Sequence, residues 1–208
     1  MLGDSAVKSH IMEKTGDPNT IQVFTENTGH VNSAVFRQFG ANPFNIAVVG
    51  LCGCTVLVVI SNQAVYITHY FEDLAFDAEP GDPAPDLQGT VLNFLNNPMN
   101  GYDSLAQHSA LFNDPSTTVY FMSPAKRSKV LYDTQLNDIG TAIRAILPNM
   151  VNNMQEYGYP PLDMKKGPDK TLMATTTLGR ALFEYDPNPG GNPQRRLYFQ
   201  SKKIIADL

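Results

Sequence analysis

An α+β fold, a mixed and largely antiparallel β-sandwich flanked by helices and long loops, is what this 208-residue sequence predicts. Two observations carry that prediction. Alternating or continuous apolar runs outnumber amphipathic ones, at about seven strands to three helices. Neighbouring runs are often separated by short turn signals, as hairpins require and a doubly wound parallel sheet does not.

The elements follow in order. Residues 1–20 read as a polar, flexible lead-in, and 21–208 as one domain. Residues 21–26 (IQVFTE) alternate as a strand, and 31–39 (VNSAVFRQF) give no clean period and a weaker strand signal. FNIAVVG at 44–50 is a buried strand or the approach to one. Residues 55–60 and 65–71 are strands joined by Ser61-Asn62-Gln63. The Pro-rich acidic run 77–86 is a loop. Helical spacing appears at 87–96, at 103–113 and most clearly at 133–147, where Leu136, Ile139, Ile143 and Leu147 recur. Asp133 or Thr134 can cap that helix, and Pro148 ends it. TTVYFM at 117–122 is a strand, 152–170 a long loop, and 172–177 alternates. The chain closes with strands at 180–185 and 196–205, joined by DPNPGGNPQ.

Composition narrows the function classes. Hydrophobic residues make up 42% and aromatics 10%, which excludes disorder. A chain of this length hides roughly 70% of the surface it exposes on unfolding. Net charge is −5 without a run of one sign, so nucleic acid is not expected as a partner. The short basic clusters Lys165-Lys166 and Arg195-Arg196 read as solvated loop ends. No segment has the length of a membrane span, and no signal peptide is recognisable. The expectation is a cytoplasmic protein, or one delivered into a host cell. Cys52 and Cys54, one residue apart, would close only a strained ring, so no disulfide framework is expected.

The chemistry-bearing residues gather around the hairpin at 50–73, GLCGCTVLVVISNQAVYITHYFED. Side chains alternate along a strand, so Cys54, Val56, Val58 and Ile60 share one face, and Val65, Ile67, His69 and Phe71 share one face of the next strand. A two-residue turn at Ser61-Asn62 sets Cys54 opposite His69. A two-residue turn at Asn62-Gln63 sets Val56 opposite His69, with Cys54 diagonal to it. Either turn puts thiol and imidazole on one face, with β-carbons roughly 5–7 Å apart. A three-residue turn would separate them unless a bulge restored the phase. A histidine beside a cysteine can hold its proton and leave a thiolate nucleophile. Gly50 and Gly53 would let a substrate approach, and backbone N–H groups at Gly53 and Cys54 would face a developing oxyanion.

Two other readings stay open on these residues alone. A strand-borne cysteine is commonly a small hydrophobe, and a strand-borne histidine a satisfied core residue. Cys52, Cys54 and His69 as metal ligands fit poorly, because a one-residue spacer does not suit a tetrahedral site, and no metal or other cofactor is expected. Glu72 lies an odd number of residues from His69 and is read on the opposite face, as a structural or rim charge. His10, His30 and His108 are read as solvated.

Leu51-Cys52-Gly53-Cys54 followed fifteen residues later by His69 resembles the pattern of the cytotoxic necrotizing factor catalytic domain, a group related to the bacterial chemoreceptor glutamine deamidases. The extended signature, G-C-T then V-Y-x-x-H-x-x-E, also resembles a set of uncharacterised fungal proteins. The resemblance covers roughly residues 44–72. It implies a β-sandwich and a Cys–His site that deamidates glutamine side chains of target proteins, with Cys54 as nucleophile and His69 as general base and acid. A toxin or effector role and a transglutaminase side activity belong to the same implication. Two positions depart from the pattern. Cys52 stands where the toxins have Ser, and Val48 where some members carry a Thr that orients the His. Asn45 is the nearest side-chain candidate for that orienting role. The expected partner is a protein carrying an exposed glutamine. The competing expectation is a non-enzymatic interaction module, or an inactive enzyme-like scaffold, binding through its Pro-rich loops.

Overall fold

The computed structural model describes residues 4–25, 29–78, 80–127, 129–151, 153–188 and 190–205. Glu26 of the first expected strand lies outside the described residues. So do Glu79, Asn152 and Pro189 of the expected loops. In chain order the elements are α1 (Asp4–Gly16), β1 (Ile21–Gln22), β2 (Ser33–Gln38), β3 (Phe44–Val48), β4 (Val56–Ile60), β5 (Ala64–His69) and α2 (Glu72–Ala75). A π-turn at Gln88–Leu92 runs into α3 (Asn93–Asn96), and a 3-10 turn at Ala106–His108 into α4 (Ser109–Phe112). Then come β6 (Thr118–Lys126), β7 (Lys129–Val130), α5 (Asp133–Ile146), β8 (Met154–Tyr159), α6 (Gly167–Thr175), β9 (Ala181–Asp186), β10 (Gln194–Phe199) and β11 (Lys202–Ile205). The class is α+β, with two mixed, largely antiparallel sheets and no closed barrel among the described residues.

The chain forms two compact units. One takes the described residues of Met1–Val23, Phe39–Cys52 and Pro160–Leu208, and the other those of Phe24–Gln38 and Gly53–Tyr159. The first unit holds a five-stranded sheet in the order β1-β3-β9-β10-β11, in which only β1 and β3 run parallel. Residues 4–16, expected as part of a polar lead-in, instead form α1. Its fully buried Ile11 packs on Ala47 of β3, Leu182 of β9 and Tyr198 of β10. Burying one such side chain is worth about 1.5–3 kcal/mol. Arg180 Nη1 donates to Thr15 Oγ1 at 2.8 Å and ties the end of the helix to the sheet. Beyond β3, the Leu51 N–H donates to the Gly179 carbonyl at 3.0 Å. Gly179 has φ +66, and a Cβ there would stand 2.5 Å from Leu51 O, so only glycine fits.

The second unit holds a six-stranded sheet, β2-β5-β4-β6-β7 with β8 paired in parallel to β6. Leu57 and Val59 of β4, Tyr66 of β5 and Phe121 of β6 pack on one face against Leu136, Ile139 and Ile143 of α5. Val56, Val58, Val65 and Ile67 point to the other face and are also buried, so β4 reads as a continuous apolar run. The expected α5 is present, but its N-cap is Tyr132 in the left-handed region (φ 67), not Asp133 or Thr134. The expected loop 152–170 contains β8 and the start of α6, and the expected single strand 196–205 is the β10–β11 hairpin. The alternating 172–177 lies largely in α6.

Candidate active site on the β4–β5 hairpin

The turn between β4 and β5 decides which side chains meet. The Ser61 N–H donates to the Ala64 carbonyl at 3.0 Å, and Ser61 Oγ accepts from the Gln63 and Ala64 N–H groups, both at 3.0 Å. This closes a two-residue turn at Asn62-Gln63. The register then runs Ile60 with Val65, Val59 with Tyr66 and Val58 with Ile67. It continues to Thr55 and Tyr70, which exchange backbone hydrogen bonds of 2.9 and 2.8 Å. Carried one pair beyond Val58–Ile67 and Thr55–Tyr70, this register sets Val56 opposite His69, while Cys54 precedes the Thr55–Tyr70 bridge, just outside β4. Of the two turns that sequence left open, the second is realised.

Cys54 follows Gly53 at the mouth of the hairpin. Its carbonyl accepts a buried hydrogen bond of 2.7 Å from the Tyr159 hydroxyl, which fixes the backbone at the thiol. Both cysteines are thiols. Cys54 is 6% exposed and His69 2%. The Gly53 N–H, an expected oxyanion donor, has no hydrogen-bond partner among the described residues.

His69 lies among rings, 5.1 Å from Phe24 and 4.5 Å from Phe71 between centroids. Neither of its nitrogens has a hydrogen-bond partner among the described residues. Burial, with a smaller contribution from His30, lowers its pKa to about 4, so the imidazole is neutral at pH 7. Asn45, the expected orienter, lies on β3 of the first unit, and no group among the described residues hydrogen-bonds His69. A residue that the sequence did not single out stands closer by register. Ser33 of β2 is directly paired with His69, is fully buried, and its hydroxyl also has no partner among the described residues. Directly paired side chains have β-carbons about 4.5–5.5 Å apart, within reach of a hydroxyl–imidazole hydrogen bond after a rotamer change.

The chain leaves β5 at Phe71, whose N–H is held by Asn32 Oδ1 at 2.8 Å, and turns into α2. The strand period no longer applies, and the Glu72 carboxylate lies against Gly53. A Cβ on Gly53 would stand 1.7 Å from Glu72 Oε2. The Tyr132 hydroxyl donates to Glu72 Oε1. Burial raises the Glu72 pKa, the Tyr132 bond lowers it, and the charges of Asp77 and Asp73 push it up again. Tyr132 is pushed well above its ordinary range, first by burial, then by Glu72, with Cys54 close enough to contribute.

The other histidines bind carboxylates: His30 with Asp73 at 2.9 Å, His108 with Asp103 at 3.1 Å, and His10 with Glu184 at 3.0 Å in the first unit. The first unit also has a cleft of about 510 Å³ lined by His10, Lys14, Phe44, Asn45, Glu184 and Arg196, among others. No group of three or more potential metal ligands occurs among the described residues, and no described helix is long and apolar enough to cross a membrane.

No protein-family model matches the chain, and no curated protein matches it. Among solved structures, it is similar to the C-terminal domain of CNFy from Yersinia pseudotuberculosis, at 13% identity and a TM-score of 0.40, with 85% of this chain covered. The match spans 57% of that chain's length.

Proposed function

We propose that this protein is a cysteine-dependent amidohydrolase acting on glutamine side chains of a protein substrate, with Cys54 as nucleophile and His69 as base and acid. The observation that supports the reading is the buried His69, unpartnered at both nitrogens among the described residues, on the strand paired with the one that Cys54 precedes. A buried imidazole without partners costs about 1–3 kcal/mol. The LCGC-to-His resemblance supports glutamine as the group attacked.

The thiol proton passes to His69 as sulfur bonds to the carboxamide carbon, and the carbonyl electrons move to oxygen beside the Gly53 amide. Collapse breaks the carbon–nitrogen bond, and ammonia leaves with the proton from His69. Water then gives a proton to His69 and attacks the thioester. The thiolate departs, takes that proton back, and leaves a glutamate. A primary amine in place of water gives transglutamination.

The test incubates candidate proteins with wild type and with Cys54→Ser, and reads the mass gain of amide-to-acid conversion. Conversion is expected with wild type alone. No conversion across a broad protein panel, together with an unlabelled Cys54 thiol, overturns the reading. A second reading, an inactive scaffold, is favoured by the 6% exposure of Cys54. It predicts slow alkylation at neutral pH that does not depend on His69.

A further inference from the structure

Three observations converge beside Cys54 and are not used by the mechanism above. The Glu72 carboxylate occupies the space over Gly53 that any side chain at 53 would fill. Its Oε1 accepts from Tyr132, while Oε2 has no hydrogen-bond partner among the described residues. Tyr132 reaches it from a left-handed backbone, φ 67, which is rare for a bulky residue. Such backbone persists where the surroundings over-determine it, and it clusters at functional sites. The result is a carboxylate held by one oxygen, with the other left as an unused acceptor one residue from the nucleophile.

We infer that Glu72, held in place by Tyr132, accepts a hydrogen bond from the NH2 group of the substrate carboxamide and so selects primary amides over carboxylates at Cys54. The inference rests on the amidohydrolase reading and adds its specificity. A carboxylate accepts from an amide N–H and repels an acid, so the same group that holds glutamine disfavours the glutamate product. Gly53 is then required on two counts: it leaves room for Glu72, and its N–H faces the oxyanion. Glu72 is a specificity-determining residue and Tyr132 a positioning residue.

Iodoacetamide and iodoacetate are near-isosteric thiol reagents that carry a carboxamide and a carboxylate, and they probe this directly. In a Cys52→Ser background Cys54 is the one remaining thiol. Its rates with the two reagents are measured and divided by those of free glutathione. The wild-type Cys54 site is expected to favour the amide reagent by roughly tenfold or more beyond glutathione. Glu72→Gln brings that preference down to the glutathione value. Tyr132→Phe keeps the charge but releases the carboxylate, and it also lowers the preference; a preference due to charge alone would survive it. Should Glu72→Gln fail to fold, Tyr132→Phe decides.

An unchanged preference in the variants, or no preference in wild type, overturns the role of Glu72 while leaving Cys54 reactive. If neither reagent labels Cys54 in the native protein but both label it after unfolding, the amidohydrolase reading itself falls, and the inference with it.

Discussion

His10 and His69 lie in different units and meet opposite surroundings. His10, on α1 of the first unit, binds Glu184 of β9 across 174 residues of sequence, and the carboxylate is nearly buried. The pair ties a helix to its sheet. His69, on β5 of the second unit, is more deeply buried and has no hydrogen-bond partner among the described residues, and the hydroxyl paired with it in register, that of Ser33, has none either. One site is satisfied and the other left open. Each orphaned polar group subtracts from a small net stability. On the proposed reading, the contrast separates a structural histidine from a catalytic one.

The largest effect expected from breaking this contrast is on activity. His69→Leu removes the base in a site of similar volume and is expected to lower amide turnover by about 10²–10⁴-fold. Its stability is expected to stay level or rise, since an apolar side chain replaces an unpartnered polar one. Turnover by mass spectrometry and unfolding in urea check both halves. A stability loss as large as a core truncation would make His69 a structural residue after all.

Acid separates the two histidines next. The folded pKa of His69 is about 4 against an ordinary 6.5. Between those values the unfolded chain binds a proton that the folded chain does not. Its contribution is therefore fully present above about pH 6.5 and is lost as pH falls towards 4, by about 3 kcal/mol at the ceiling. Urea melts across that window are expected to show stability falling with acid in wild type and a flatter profile in His69→Leu. His10→Ala is expected to keep the acid slope but to cost about 1–3 kcal/mol at pH 7, because it strands the nearly buried Glu184 carboxylate. Equal slopes in wild type and His69→Leu would remove His69 as the source.

The hairpin itself was largely legible in sequence, because VLVVI and AVYITH are β-branched and apolar and the turn signal between them is short. Sequence could not choose between its two turns, since the choice rests on Ser61 Oγ accepting from the Gln63 and Ala64 amides. Ser33 was invisible for another reason: β2 pairs with β5 across an intervening strand pair, and no local pattern encodes that partner. Residues 4–16 hid their helix because few of their apolar residues dock, Ile11 chief among them. β8 was read as loop because Gly158 and the prolines after it mask a strand whose parallel partner, β6, lies far away in sequence.

The smallest predicted effect gives the finest test of the contrast, because it probes the geometry of the open site rather than its chemistry. Ser33 and His69 are opposite each other on adjacent strands, both buried and both unpartnered. If the hydroxyl turns to accept the imidazole N–H during turnover, it fixes which nitrogen faces Cys54. Losing one neutral hydrogen bond costs about 0.5–1.5 kcal/mol, so Ser33→Ala is expected to lower kcat by several-fold to about tenfold. KM should change little, because Ser33 acts through His69 and not on the substrate. Folding stability should not fall, since the variant removes an orphaned hydroxyl. Ser33→Thr, which keeps the hydroxyl, is expected to recover part of the lost kcat. A stability loss without a kcat effect would place Ser33 in the core alone, and the orienting group of His69 would then have to come from outside the β2–β5 pair.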